Sequence, residues 1–267
     1  MPSSPHRVKA VRLERLSRYG DGRHLFVPLD HSVSTGPVAQ ADRFDSLVEA
    51  VVTAGADAVI VHKGRARYIN PSHFRQASLV VHLSGSTAHA PDTDAKVLVS
   101  RVEEAIRLGA DGVSVHVNIG ADTEASQLAD LGAVADACDR WGMPLLAMMY
   151  PRGPRVRNPR DPELLAHVVN IAADLGADLV KTVMAQTVAD MADVVATSPV
   201  PILVAGGEGG GGLDELVTSA LRAGCRGVAV GRRIFRHPDP ATAVRDIARL
   251  LHDPADLGIT HAPALAG

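Results

Sequence analysis

Short runs of apolar, largely β-branched residues recur along the chain, and amphipathic stretches rich in Ala and Leu separate them. Runs of this kind are typical of buried parallel strands, and the stretches between them are typical of helices. Eight runs are present, at 24–30, 56–63, 78–85, 112–118, 144–151, 177–183, 201–207 and 227–233. Eight alternating units predict an α/β fold in which the strands close into a (β/α)8 TIM barrel.

A repeated Gly-Ala-Asp triplet supports this count, because it ends a helix and starts a strand at 55–57, 109–111 and 176–178. Glycine at such a position adopts the left-handed conformation that ends many helices. Residues 224–226, Gly-Cys-Arg, are a variant of the same arrangement. A doubly wound open sheet would show similar alternation, but eight units with polar residues at nearly every strand end favour the barrel.

The barrel accounts for most of the 267 residues, so we expect one domain over 1–267. Residues 1–20 predict an extra N-terminal helix that closes the bottom of the barrel. Residues 255–267 have the composition of a loose tail.

Composition limits the possible partners. The net charge of −3 and the pI near 6.4 exclude the broad cationic surface that nucleic acid or anionic lipid would need. No run reaches the ~18 apolar residues of a membrane span, and the N-terminus lacks the apolar segment of a signal peptide. Cys138 and Cys225 form no CxxC motif, and we expect both to be reduced. A cytoplasmic enzyme acting on small molecules, with no nucleic-acid or membrane partner, is expected.

The carboxyl ends of the predicted strands are unusually polar, and in a (β/α)8 barrel these ends form the active site. The residues there are Asp30, His31, His62, Lys63, His82, His116, Asn118, Tyr150, Arg152, Lys181, Gly206, Gly207, Gly231 and Arg232. Packing does not require so many polar groups at one end, so the sequence predicts a reaction site.

Lys181 lies near the end of the apolar run ADLVKTV, where a lysine can either extend its ammonium to water or act as a nucleophile. Burial disfavours the ammonium form, and a neutral amine can attack a ketone to give an imine. Carbon–carbon bond formation through an imine also needs a base and an acid. Asp30 and Tyr150 have the right chemistry, although a helix-capping aspartate and a rim tyrosine are equally simple interpretations.

Two glycine-containing strand ends indicate where a phosphate group binds. Gly206 and Gly207 follow the seventh run, and Gly231 and Arg232 follow the eighth. Backbone amides in these two loops commonly bind phosphate in barrels, and an arginine adds a charge-assisted donor.

Four strand-end histidines offer a rival hypothesis, a divalent metal site of the class II aldolase or barrel hydrolase kind. They are His31, His62, His82 and His116. They show no HxH or HxxxH spacing, so we predict no metal, and His116 is assigned to substrate binding instead. A non-catalytic phosphosugar-binding barrel is a more remote alternative.

With these residues in place, the chain resembles the archaeal-type class I aldolase family that contains fructose-bisphosphate aldolase and 2-amino-3,7-dideoxy-D-threo-hept-6-ulosonate synthase. The resemblance covers nearly the whole chain. It depends on VPLDHSVSTGP, VIVHKG, VVHLSGST, VEEAIRLGADGVSVHVNIG, WGMPLLAMMYPRG, DPELLAHVVNIAADLGADLVKT, LVAGG and GVAVGRRIFRH.

The resemblance implies that Lys181 forms the Schiff base, Asp30 accepts a proton and Tyr150 donates one. It also implies that no cofactor is needed and that the protein forms a large homo-oligomer, commonly a decamer in this family. The implied substrate-binding positions are His31, Ser32, Val33, Ser34, Pro151, Arg152, Gly206, Gly207, Gly231 and Arg232.

Within the family, PLDHSV, ACDRWGMPLLAMMYPRGPR and NPRDPELLAHVV look closest to an actinobacterial branch. That branch joins dihydroxyacetone phosphate to L-aspartate 4-semialdehyde in the synthesis of an aminohydroxybenzoate precursor. The sister synthase uses a six-carbon diulose phosphate as donor to the same acceptor, on an alternative route to dehydroquinate. The chain departs from the family at two places. The loop after Gly207 reads Glu208 and then glycine at 209–212, and Val183 stands where an aromatic residue is frequent.

Overall fold

Residues 5–207 and 211–253 are described by a computed structural model of the chain. The strands are His24–Pro28 (β1), Ala58–His62 (β2), Ser78–His82 (β3), Ser84–Gly85 (β4), Val97–Leu98 (β5), Gly112–Ile119 (β6), Leu145–Pro151 (β7), Leu179–Thr182 (β8), Ile202–Ala205 (β9) and Gly227–Ala229 (β10). The α-helices are Pro5–Arg15 (α1), His31–Ser34 (α2), Phe44–Thr53 (α3), Lys63–Ala66 (α4), Val102–Arg107 (α5), Glu124–Trp141 (α6), Pro162–Asp174 (α7), Val188–Thr197 (α8), Leu213–Arg222 (α9), Arg232–Phe235 (α10) and Pro240–His252 (α11). Short 3-10 helices span Ala41–Arg43 and Pro71–Arg75.

Eight parallel strands close into a barrel in the order β1-β2-β3-β6-β7-β8-β9-β10, with β10 paired back to β1. Seven of the eight predicted apolar runs contain a whole strand and the run at 112–118 ends one residue before β6 does, so the predicted TIM barrel is confirmed. The predicted tail at 255–267 and the loop residues Glu208 to Gly210 lie outside the described residues. No helix within the described ranges is both long and apolar enough to cross a membrane.

Period-two alternation along the strands divides the core into two layers. Side chains of one set point outward and pack against the helices, as Leu25 and Val27 do. The other set fills the barrel interior and consists of Phe26, Ala58, Ile60, Val80, Leu146, Met148, Leu179, Leu203 and Ala229. The residue two positions beyond a strand's interior residue is therefore brought to the mouth of the barrel.

The N-terminal helix α1 closes the bottom of the barrel, as predicted. Leu16, which directly follows the helix and is 1% exposed, packs into the interior layer. The Leu16 carbonyl accepts a hydrogen bond from His24 Nδ1 at 2.9 Å, and the Arg15 carbonyl accepts one from Ser78 Oγ at 2.8 Å. Both donors lie at the starts of barrel strands, so the end of α1 is fixed against the strand starts.

The three Gly-Ala-Asp triplets act as predicted and have a second role. Gly55, Gly109 and Gly176 all have positive φ angles, of 120°, 79° and 93°. The aspartate of each triplet accepts a backbone N–H from the neighbouring strand: Asp57 from Leu25 at 2.6 Å, Asp111 from Leu79 at 3.3 Å and Asp178 from Leu145 at 2.8 Å. One triplet thus ends a helix and also ties two strands together.

Candidate active site

A cavity of about 530 Å³ opens at the carboxyl ends of the strands. Most of the predicted site residues line it: Asp30, His31, Val33, Ser34, His116, Tyr150, Arg152, Lys181, Gly206, Gly207, Gly231 and Arg232. His62 and His82 line it as well, whereas Ser32 and Pro151 do not. The carboxyl ends of all eight barrel strands therefore meet at one site.

Lys181 lies in the middle of this site. It follows the interior residue Leu179 by two positions on β8, so its side chain enters the barrel interior, where it is 8% exposed. Its register partners are Met148 on β7 and Leu203 on β9. No hydrogen-bond acceptor within the described ranges contacts its amine. An amine that is buried among apolar side chains and is not tied down is suited to nucleophilic attack.

Asp30 stands at the N-cap position of α2, but its side chain makes no capping hydrogen bond. Its carboxylate lies 3.4 Å from His31 Nδ1 and 3.8 Å from His82 Nε2. Burial raises the pKa of this carboxyl, but the charges that His82, His31 and Lys181 can carry lower it by more. The net shift is downward, so Asp30 is ionised at neutral pH and can accept a proton.

The histidines of the mouth are neutral at pH 7. Burial lowers the pKa of His82 to about 4, and it lowers those of His31, His62 and His116 as well. Their contacts are with protein groups, such as His82 Nδ1 with Ser114 Oγ at 2.8 Å. Across residues 5–207 and 211–253, no group of three or more His, Cys, Asp or Glu side chains is arranged to hold a metal ion.

Tyr150 follows Leu146 and Met148 in the interior-facing set of β7 and lies beside two polar residues. Its ring centroid is 4.9 Å from that of His116, and the Arg152 guanidinium carbon is 5.7 Å from it. His116 is itself held by a 2.9 Å contact between Nε2 and Asn118 Oδ1. The phenol is thus placed on the strand next to Lys181, where it can donate a proton to a group above the amine.

The glycines at the ends of β9 and β10 allow close approach of the backbone. A Cβ atom on Gly206 would lie 2.8 Å from both methyl groups of Val230, and one on Gly231 would lie 2.5 Å from the Pro28 carbonyl oxygen. Gly207 has a φ of 45°, which favours glycine. Arg232 begins α10 beside them. Backbone amides and a cation here form a surface suited to an anion.

One part of the lining was not predicted. The chain leaves the barrel after β3, forms the β4–β5 pair and returns to α5, and six residues of the intervening loop line the cavity: Ser86, Thr87, Ala88, Thr93, Asp94 and Lys96. The cluster of Pro, Asp and Thr around 91–94 signals a turn, but nothing local in the sequence indicates that the turn folds over the mouth.

A closed parallel barrel with a buried amine, an ionised carboxylate and a phenol in its mouth contains the groups that Schiff-base aldol chemistry requires. The family model of DeoC/LacD family aldolases matches residues 24–237. This chain belongs to that family, and it is a class I aldolase. The covalent imine provides the electron sink, so this chemistry needs no cofactor.

Individual relatives agree with this assignment. The chain is 49% identical, over 98% of its length and 97% of the relative, to 2-amino-4,5-dihydroxy-6-oxo-7-(phosphonooxy)heptanoate synthase of Streptomyces griseus. It is 37% identical to the 2-amino-3,7-dideoxy-D-threo-hept-6-ulosonate synthase of Halobacterium salinarum, over 93% of each chain. An archaeal fructose-1,6-bisphosphate aldolase structure, with its catalytic lysine covalently bound to the carbinolamine intermediate, matches with a TM-score of 0.81, 26% identity and coverage of 92% and 99%.

Proposed function

We propose that this aldolase joins dihydroxyacetone phosphate to L-aspartate 4-semialdehyde, giving a seven-carbon amino-keto phosphate for secondary metabolism. The observation that supports this most is the 49% identity, over nearly the full length of both chains, with a synthase whose product is a phosphorylated amino heptanoate. A three-carbon ketone and a four-carbon aldehyde supply the seven carbons of such a product.

Lys181 is the proposed nucleophile. Its neutral amine adds to the ketone carbon, and loss of water gives an iminium ion. Asp30 accepts the proton that leaves the adjacent carbon, and the resulting enamine forms the new bond to the aldehyde carbon. Tyr150 protonates the alkoxide, water releases the product from Lys181, and solvent restores both side chains.

The phosphate and the acceptor are held on opposite sides of Lys181 in this proposal. Gly207, Gly231 and Arg232 bind the donor phosphate through backbone amides and a cation, and Gly206, whose own N–H donates to the Ala229 carbonyl at 3.0 Å, lines the pocket beside them. Arg152 binds the acceptor carboxylate, for which the planar guanidinium is well suited.

A second candidate is transfer from a six-carbon diulose phosphate to the same acceptor. The 37% identity with the halobacterial 2-amino-3,7-dideoxy-D-threo-hept-6-ulosonate synthase favours it. Fructose-bisphosphate aldolase activity is a third, given the archaeal structures. All three share the Lys181 imine and differ in donor or acceptor.

The decisive test is borohydride reduction in the presence of dihydroxyacetone phosphate, followed by intact mass measurement and peptide mapping. We expect one adduct on Lys181, none in Lys181→Met, and an undiminished adduct in the control Lys63→Met, whose lysine pairs with Glu104 outside the cavity. An adduct that forms only with a longer diulose phosphate would favour the second candidate. No adduct with any ketose would contradict the proposal.

We also propose a cytoplasmic homo-oligomer, in line with the decamers common in this family. Cys138 and Cys225 are both free and buried, as expected of a protein kept in a reducing compartment. Sedimentation of the purified protein measures the oligomer directly, and a monomer would contradict this part of the proposal.

A further inference from the structure

The segment between β3 and α5 forms a loop over the mouth that is closed at its base. Its two strands pair with Ser84 opposite Leu98, and the Val99 N–H donates to the Leu83 carbonyl at 2.8 Å. The chain therefore leaves and rejoins the barrel at almost the same point. We call residues 86–96 the mouth loop.

Contacts on two sides hold the mouth loop in place. The Ala88 N–H donates to the Ser34 carbonyl at 2.9 Å, next to the turn that carries Asp30. On the other side, Asn118 Nδ2 and Gln127 Nε2 both donate to the Asp94 carbonyl, at 2.7 Å and 3.0 Å. Asn118 is 0% and Gln127 1% exposed, so two buried amides fix the position of this one residue. A loop held so firmly is preorganised for binding.

The mouth loop brings two opposite charges to the cavity. Lys96 is half-buried, and its ammonium donates to Ser86 Oγ at 2.7 Å and to the carbonyls of Thr93 and Ala95. Burial and the nearby Arg152 both lower its pKa, so two cations face one part of the cavity. The side-chain carboxylate of Asp94 accepts no hydrogen bond from any residue within the described ranges. Both charges are thus set in position without forming an ion pair with each other.

Their place in the barrel matches the acceptor end of a bound substrate. The glycines that the proposed function assigns to phosphate binding follow β9 and β10. From there, neighbouring strands of the barrel carry Lys181 (β8), Tyr150 (β7) and His116 (β6) in that order. The Lys96 charge further lowers the pKa of His116, which is in ring contact with Tyr150. A substrate bonded to Lys181 and held by its phosphate on one side therefore presents its other end beneath the mouth loop.

We propose that Asp94 and Lys96, together with Arg152, form a subsite that recognises the amino acid end of the acceptor aldehyde. Asp94 receives the ammonium group and Arg152 receives the carboxylate, while Lys96, whose three N–H donors are held by the loop, adds positive charge beside that carboxylate. This inference rests on the proposed function and adds the side chains by which the enzyme distinguishes an α-amino acid acceptor from other aldehydes. The fixed spacing of one anion and two cations selects against acceptors that lack either charge.

The test uses the purified full chain, dihydroxyacetone phosphate and three acceptors: L-aspartate 4-semialdehyde, succinate semialdehyde, which lacks the ammonium group, and propanal, which lacks both charges. Asp94→Asn should lower kcat/KM about 10- to 100-fold for the first acceptor alone, the usual effect of losing a charged hydrogen bond. Lys96→Met should lower it for the first two. Asp136→Asn and Lys63→Met, both outside the cavity, serve as matched controls and should change nothing.

Equal losses with all three acceptors would mean that the two side chains only shape the mouth loop, and would overturn the inference. The Lys181 adduct with dihydroxyacetone phosphate separates this failure from that of the proposed function. A wild-type enzyme that forms the adduct and condenses propanal, but not the amino acid, would overturn the subsite and leave the imine chemistry standing. A wild-type enzyme that forms no adduct and condenses no acceptor would overturn both.

Discussion

The two ends of the barrel contain the same kinds of residue in opposite circumstances. At the bottom, the buried carboxylate of Asp57 accepts the N–H groups of Leu25 and Arg18 and lies 3.2 Å from His252 Nε2. At the mouth, the Asp30 carboxylate accepts no hydrogen bond from the part of the chain that the structure describes, and two histidines lie 3.4 Å and 3.8 Å from it. The carboxylate at the bottom is thus held by backbone donors, whereas the carboxylate at the mouth has histidine contacts alone within the described ranges.

Histidines show the same contrast. Burial lowers the pKa of His252 at the bottom, but hydrogen bonds to Asp21 and Asp57 raise it by more, and the net shift is upward. Burial dominates at the mouth and lowers the pKa of His82 to about 4. The two carboxylates beside His252 therefore favour its charged form, whereas burial at the mouth favours the neutral form of His82. The type of a residue alone does not show whether it stabilises the fold or serves the reaction. Its hydrogen-bond and charge partners do.

The largest expected effect comes from removing the mouth amine. Lys181→Met should abolish turnover, with a loss of at least ~10⁴-fold in kcat, because no imine can form. The free energy of unfolding should stay within about 1 kcal/mol or rise, since a buried amine without a partner is replaced by an apolar chain of similar size. Kinetics and urea unfolding of this variant beside Lys63→Met check both statements. A folded variant with 1% of wild-type activity would contradict the assignment of Lys181.

Tyr150→Phe tests a single step of the proposed mechanism, the protonation of the alkoxide. Loss of a general acid should slow carbon–carbon bond formation by about 10²- to 10⁴-fold. Imine formation does not need this proton, so the yield of the borohydride adduct on Lys181 should be nearly unchanged. Parallel loss of adduct and turnover would mean that Tyr150 acts at the imine step instead. Tyr68→Phe, at an exposed tyrosine, is the control.

At the bottom of the barrel, a substitution is expected to lower the stability of the fold and to leave the activity unchanged. Leu16→Ala removes a side chain that fills the barrel interior and should lower the free energy of unfolding by about 2–5 kcal/mol. The kcat of the folded variant should be close to that of wild type, because the mouth is untouched. Val11→Ala, at a residue on α1 that is 51% exposed, should cost far less. Equal losses from the two variants would show that α1 does not plug the barrel.

The eight apolar runs and the triplet repeat were sufficient to predict the barrel, because both are local in sequence. Period-two alternation along the strands then brings Lys181, Tyr150 and Asp30 to one mouth, since each continues an interior-facing set at a strand end. The helix α1 lies within the predicted N-terminal helix at 1–20. These predictions needed only residues close together in the chain, and the structure describes them as expected.

The mouth loop could not be predicted in this way. Asp94 reaches the cavity through hydrogen bonds from Asn118 and Gln127, which lie 24 and 33 residues away. His252 meets Asp21 across 231 residues. Long-range pairs of polar groups leave no periodic signal, so an isolated aspartate in a turn and a histidine in a helix have no evident partners in the sequence.

The smallest expected effect comes from the ion pair between His252 and Asp21 at the bottom of the barrel, where His252 Nδ1 lies 2.8 Å from Asp21 Oδ2. We call this pair the histidine clasp. The pKa of His252 is raised above its usual 6.5, so its contribution is complete below that pH and is lost as the pH rises through the higher folded value. Although burial alone raises the pKa of Asp21, its bonds to His252 and Arg23 bring it down to about 2, so its contribution is lost only in strong acid.

Together these shifts predict that the clasp stabilises the fold most between about pH 4 and pH 6.5. His252→Gln should lower the free energy of unfolding by ~1 kcal/mol at pH 6, and by less at pH 9, because the contribution of the wild-type histidine falls as the pH rises through its folded pKa. Urea unfolding at both values measures the difference, with His167→Gln, at an exposed histidine, as the control. A difference that grew with pH would mean that His252 is neutral in the folded protein. In that case the bottom of the barrel would not differ from the mouth in the charge of its histidines.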